Sequence, residues 1–196
     1  YRPAKPLNSV MASAFIMLIV NPTLIFEASF LLSYSAVIAI ILNYRHLASA
    51  FTFRGRLLNY FWKMVAVSVL AQAGTLPFVV LFFGEVPLFA VLSNLFAIPL
   101  ATIILASGFL LIAGLALPFL GEIASPLIDY SVSLLSDLAG QVSGLRFALI
   151  STGNVSAGRA VLLFVIIILL LRFILDNKRP YLHSTLALCI LYFILR

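Results

Sequence analysis

Ser68, Gln72 and Thr75 stand four and three residues apart in a run otherwise rich in Val, Leu and Ala. Those spacings bring side chains to one face of an α-helix, so two hydroxyls and a primary amide would project from a single stripe. The groups carry donors and acceptors but no net charge. Their chemistry is weak, exchangeable hydrogen bonding, and in apolar surroundings each needs a partner or water. Pro77 follows directly and lacks the N–H that would bond the carbonyl of Ala73, which leaves an extra acceptor on the turn that carries Gly74. Ser29, Ser33, Ala36, Ile40 and Asn43 form a second small or polar stripe, and Asn94 places another amide upstream of Pro99. Stripes of serine ordinarily pack membrane helices together, whereas an amide at mid-membrane depth costs more and more often marks a pathway.

Covalent chemistry has no comparable support. His46 lies in a basic loop and His183 near the start of the last apolar run, and neither has an Asp, Glu or Cys at a spacing that suggests a triad or a metal site. The single cysteine, Cys189, can build neither a disulfide framework nor a zinc site within the chain. The expectation is a protein that is not an enzyme and holds no metal or other cofactor. GQVSG at 140–144 and NVS at 154–156 match a helix-packing pattern and a glycosylation sequon, but patterns this short arise easily by chance.

The elements that hold these residues belong in a membrane. The chain is 64% hydrophobic and 9% charged, with a mean hydropathy of +1.21, which excludes a soluble globule and a disordered segment. Alternating ten-residue patterns are absent, so the spans are helices and not barrel strands. Apolar runs at about 8–20, 25–43, 60–83, 160–175 and 182–195 are candidate crossings, in addition to a long middle stretch. The expected fold is all-α: one polytopic membrane-embedded domain over 1–196, read as a fragment of a larger protein because the sequence opens on Tyr1.

Lys and Arg collect on the cytoplasmic side of short loops, and the twelve here give a consistent topology. Arg45, Arg54, Arg56 and Lys63 mark 44–63 as cytoplasmic, in agreement with Arg2 and Lys5, while Asn21 and Pro22 mark an external turn. Arg172, Lys178 and Arg179 place the turn before the last helix inside. Residues 84–87 and 144–159 then share the outer side.

Between them, the 35 residues from Val86 to Leu120 hold no charged side chain. One crossing takes about 20 residues, so this stretch is too long for one and too short for two. The expectation is a re-entrant segment of two half-length helices broken near Pro99; a single tilted helix followed by a buried connector is the alternative. Pro22, Pro77 and Pro99 are the expected helix breaks. Residues 122–146 alternate Glu122, Asp129, Ser133, Ser136, Asp137 and Gln141 with Ile and Leu, which reads as an amphipathic helix lying along the outer interface.

Three segments in fixed order resemble the membrane domain of the ComEC family, the inner-membrane channel for DNA uptake in bacterial transformation. They are VNPTLIFEASFLLSYSAVIAI at 20–40, AQAGTLPFVVLFFGEVPL at 71–88 and LSNLFAIPL at 92–100. The resemblance covers roughly residues 8–118 and draws attention to Asn21, Pro22, Phe30, Leu32, Ser33, Gln72, Thr75, Pro77, Asn94 and Pro99. Glu27 and Ala28 stand where the family commonly has an acidic residue and a glycine, so the acidic character survives while the glycine is replaced. The family's soluble OB-like and metallo-β-lactamase-like domains are absent from this sequence, so hydrolysis attributed to the family cannot come from it. The resemblance implies a multi-pass protein of the bacterial inner membrane that conducts single-stranded DNA into the cytoplasm, with the lipid bilayer and other DNA-uptake proteins as further partners.

A passing strand needs donors for phosphate oxygens and a wetted route. Ser33, Ser68, Gln72, Thr75 and Asn94 are the expected lining or bracing. A strongly basic lining would hold the polyanion, so spans poor in Lys and Arg suit conduction. Arg45, Arg54, Arg56 and Lys63 are candidate DNA contacts on the cytoplasmic side, although topology alone would also account for them. No GxxxxGK[ST] motif occurs, so the expectation includes a separate energy source. Two other classes remain open from the residues alone. A secondary transporter for a small solute would show inverted repeats, which the sequence does not display, and an intramembrane lipid-acting enzyme would place an acid, His or Cys beside a polar cluster.

Overall fold

The computed structural model describes residues 6–115, 117–146, 148–153, 155–176, 184–189 and 192. Topology marks at Arg2, Lys5, Lys178, Arg179 and Arg196, together with His183 and the sequon's Asn154, lie outside the described residues. The chain forms two compact units, residues 1–86 with 150–196 and residues 87–149.

The first unit begins with α1 (Pro6–Val20), which ends one residue before Asn21 and Pro22. The Asn21 side-chain oxygen accepts from the Thr23 backbone N–H at 3.1 Å and from the Thr23 hydroxyl at 2.7 Å. That double acceptance caps a 3-10 turn over Pro22–Phe26, with the fixed φ of Pro22 at its start. Helix α2 (Ala28–Ala50) follows, then an extended loop, then α3 (Arg56–Phe83). Gly84 stops α3 in the left-handed conformation, φ 66°, with its N–H bonded to the carbonyl of Val80 at 3.0 Å. Helix α6 (Ala157–Asp176) returns against α3, and residues 184–189 are again helical.

Helix α3 is the centre of this unit, packed on α2 and on α6. It buries Met64, Ala66, Ser68, Leu70, Gly74, Pro77 and Val80. Large apolar side chains are exposed along the other helices, among them Phe15, Val20 and Phe26. In water such a surface would be a liability; lipid tails are its natural solvent. Helices α2, α3 and α4 (Ala90–Ala113) are each long and apolar enough to cross a bilayer. The molecule is an all-α membrane protein.

The second unit is a helical hairpin. Helix α4 packs on α5 (Pro118–Ser143), and the pairing is antiparallel: Leu92 and Ser93 share a cavity wall with Leu138 and Val142, while Gly114 lies against Gly121. A Cβ at Gly114 would stand 2.7 Å from the backbone nitrogen of Gly121, so glycine lets the two helix ends close. Pro118 occupies the first turn of α5, where its missing N–H costs nothing.

This hairpin decides between the two expectations for the charge-free stretch and corrects the break at Pro99. The stretch reverses between the end of α4 and the start of α5, as the alternative of one helix followed by a connector has it; α4 runs unbroken through Pro99, as α3 runs through Pro77. A proline inside a helix removes one backbone hydrogen bond, whereas unwinding the segment in lipid would orphan several, so the continuous helix wins. Residues 122–146 are amphipathic as expected, and α5 lies lengthwise along α4. Glu122 is consequently at the opposite end of the hairpin from Ser143.

Two short strands, β1 (Glu85–Pro87) and β2 (Leu149–Ser151), pair with each other. The Thr152 N–H donates to the carbonyl of Gly84 at 2.8 Å, and the Leu88 N–H to the carbonyl of Ala148 at 3.2 Å. Residues 84–87 and 149–152 therefore lie side by side.

Candidate functional site

The polar stripe of α3 lies on a helix that is buried on several sides. Ser68 is 2% exposed, and its hydroxyl has no hydrogen-bond partner among the described residues. A serine in an apolar helix usually donates to a carbonyl one turn back; this one does not, so a buried donor and acceptor stand available in the span. Gln72, one turn on, is half-buried with its amide oxygen out of contact with solvent. Thr75 behaves differently. Its hydroxyl donates to the carbonyl of Ala71 at 3.0 Å and lies 3.4 Å from that of Gln72, so it is committed to its own helix. Thr75 braces the stripe and offers little to a solute.

The same stretch holds a very close helix contact. A Cβ at Gly74 would be 2.7 Å from the Cβ of Ala39 and 2.7 Å from the carbonyl oxygen of Ser35, so α2 and α3 cross with backbone nearly touching. Pro77, buried three residues on, withholds a donor from the carbonyl of Ala73. Ser68, Gln72 and the Gly74–Pro77 turn thus combine polar atoms, a close crossing and a weakened helix ladder within ten residues.

Ser33 is not part of that arrangement. The face of α2 that meets Gly74 carries Ser35 and Ala39, whereas Ser33 and Ser29 open on a groove of about 490 Å³ shared with α1 and the 3-10 turn. Tyr34 closes one side, its hydroxyl 3.1 Å from that of Ser13 and donating to the Met17 sulfur at 3.3 Å. Glu27 lies on the rim, and its carboxylate makes the groove a poor host for phosphate. The second α2 stripe is therefore divided, since Asn43 faces another cavity, about 310 Å³, formed by α2, α3 and α6. That cavity is apolar: Asn43 donates to the carbonyl of Ala39 at 3.0 Å, Ser35 donates to that of Leu32 at 3.1 Å, and Phe78 and Phe164 meet at 6.1 Å.

Asn94 belongs to the second unit and is half-buried on α4. Sequence reasoning missed Ser107 on the same helix. It is 1% exposed, with no hydrogen-bond partner for its hydroxyl among the described residues, which makes it the counterpart there of Ser68. Its signal was available, as one of four polar side chains, with Ser93, Asn94 and Thr102, inside the charge-free stretch.

Arg45, Arg54, Arg56 and Lys63 are all exposed around the turn between α2 and α3. Asn59 fixes that turn, accepting from the Phe53 N–H at 2.8 Å and donating to the Phe53 carbonyl at 2.6 Å. No group of three or more His, Cys, Asp or Glu that could hold a metal ion occurs among the described residues.

A helical membrane protein that buries polar side chains such as Ser68 within its long apolar helices is the class that this architecture defines. A family model described as Competence protein matches residues 1–177, so the chain belongs to the competence protein family. Its role lies in DNA uptake during transformation. No curated protein and no solved structure gives a match.

Proposed function

We propose that the chain forms part of the conduit through which single-stranded DNA crosses the bacterial inner membrane, without covalent chemistry of its own. The observation that carries this reading is Ser68, a hydroxyl buried in the central span with no acceptor or donor among the described residues, one turn from the amide of Gln72. A buried, unsatisfied polar atom costs roughly 1–3 kcal/mol, and a polar ligand or water that meets it in some state recovers that cost. Uncharged amides and hydroxyls suit a moving polyanion, because each contact is weak enough to break. Transport is driven by another protein or by the gradient.

Replacing Gln72 with leucine in the intact protein tests the reading. Leucine favours insertion and removes only the polar group, so membrane levels and DNA capture at the cell surface stay unchanged while transformation frequency falls at least tenfold. Wild-type frequency in that variant rejects the stripe as a path; disappearance of the protein from the membrane assigns Gln72 to packing.

A further inference from the structure

Between Glu27 and Glu85 the sequence contains no acidic residue, yet it places Arg45, Arg54, Arg56 and Lys63 around one turn. All four side chains are exposed. The turn spans only residues 51–55 between α2 and α3, both long and apolar enough to cross a bilayer. Arg54 lies in that turn, Arg45 towards the end of α2, and Arg56 and Lys63 near the start of α3; a segment of five residues, at most about 3.3–3.6 Å per residue out and back, keeps the set close to the two helix ends. What meets them first is lipid phosphate.

The turn is also built to stay at that depth. Phe51 and Phe53 pack edge-on against Trp62 with ring centroids 5.0 and 6.4 Å apart, and Asn59 holds the Phe53 backbone by both its N–H and its carbonyl. Aromatic side chains sit at the membrane–water boundary, and a clamped backbone presents its neighbours in fixed positions. Arg54 and Arg56 flank Gly55, the N-cap of α3, and each offers a planar fork of donors that matches two phosphate oxygens.

We infer that the α2–α3 turn is a binding site for the phosphate headgroups of anionic phospholipids, with Arg45, Arg54, Arg56 and Lys63 as its ligands and the Phe51–Phe53–Trp62 cluster as its anchor. The inference rests on the membrane placement of α2 and α3 and not on DNA conduction. Each Lys or Arg near an anionic surface strengthens binding by about fivefold, so the set discriminates strongly between charged and zwitterionic lipid.

The test uses the purified full protein in detergent, titrated with phosphatidylglycerol or with phosphatidylcholine of the same chains, and reads retained lipid by native mass spectrometry. The protein retains phosphatidylglycerol at least tenfold better. Arg54→Gln with Arg56→Gln lowers that preference at least fivefold. Should the double variant fail to insert, Asn59→Ala keeps every cation and releases the clamp, and reduces the preference about threefold. Equal retention of the two lipids by the unaltered protein overturns the inference, as does a preference that neither variant changes. A third contradicting result is displacement of the bound lipid by a thymidine oligonucleotide at equal phosphate concentration, which would assign the turn to nucleic acid.

Discussion

Gly74 of α3 faces the carbonyl oxygen of Ser35 on α2 so closely that a methyl group there would stand 2.7 Å from it, and equally close to the Cβ of Ala39. The contact fixes how near the two spans approach, and everything along the polar stripe inherits its position from it. Gly74→Ala must push backbone away, because the Ser35 oxygen cannot turn aside. The expected loss is about 1–3 kcal/mol, read as a lower thermal midpoint of the purified protein. Combining it with Ala39→Gly relieves the side-chain half of the clash and recovers part of the loss but not all.

The α4–α5 hairpin makes a sharp topological prediction. Cysteines introduced at Leu117 and Ser143, in a background with Cys189→Ser, are labelled by a membrane-impermeant reagent from opposite sides of the membrane, since they sit at opposite ends of a lengthwise pair. Labelling of both from one side would place α5 along the interface.

The sequence makes the membrane class and the long apolar helices legible because apolar length is a direct physical signal. It misleads at Pro77 and Pro99, where a proline's local cost is smaller than the cost of orphaning backbone groups in lipid. The true reversal is written in Gly114 and Pro118, a pairing whose meaning depends on Gly121 closing against Gly114 across the turn. Periodicity cannot supply that contact. At the site, helical spacing finds Ser68 and Gln72, but it cannot tell Thr75, whose hydroxyl is spent on its own helix, from Ser68, whose hydroxyl is not. Ser33 likewise shares a stripe with Asn43 on paper, and the two open on different cavities.

Asn59→Ala removes two hydrogen bonds to the Phe53 backbone. At about 1 kcal/mol each, their loss raises hydrogen exchange at the Phe53 amide by roughly an order of magnitude while leaving the middle of α3 protected.

Asn94→Leu tests the second unit independently. If its half-buried amide serves the passing strand, DNA internalisation falls at least tenfold with the protein still inserted, and Asn94→Gln retains most of the activity. Equal loss in the leucine and glutamine variants would point to shape and packing on α4.

The central claim is that DNA passes the polar stripe of α3. The most direct measurement is photocrosslinking of incoming DNA that carries 4-thiothymidine to the unaltered protein in transforming cells, followed by mapping of the adduct. Adducts within residues 68–75, lost when uptake is blocked, are the predicted result. Adducts confined to lipid-facing positions such as Leu105, or none in this chain while DNA enters, would contradict it.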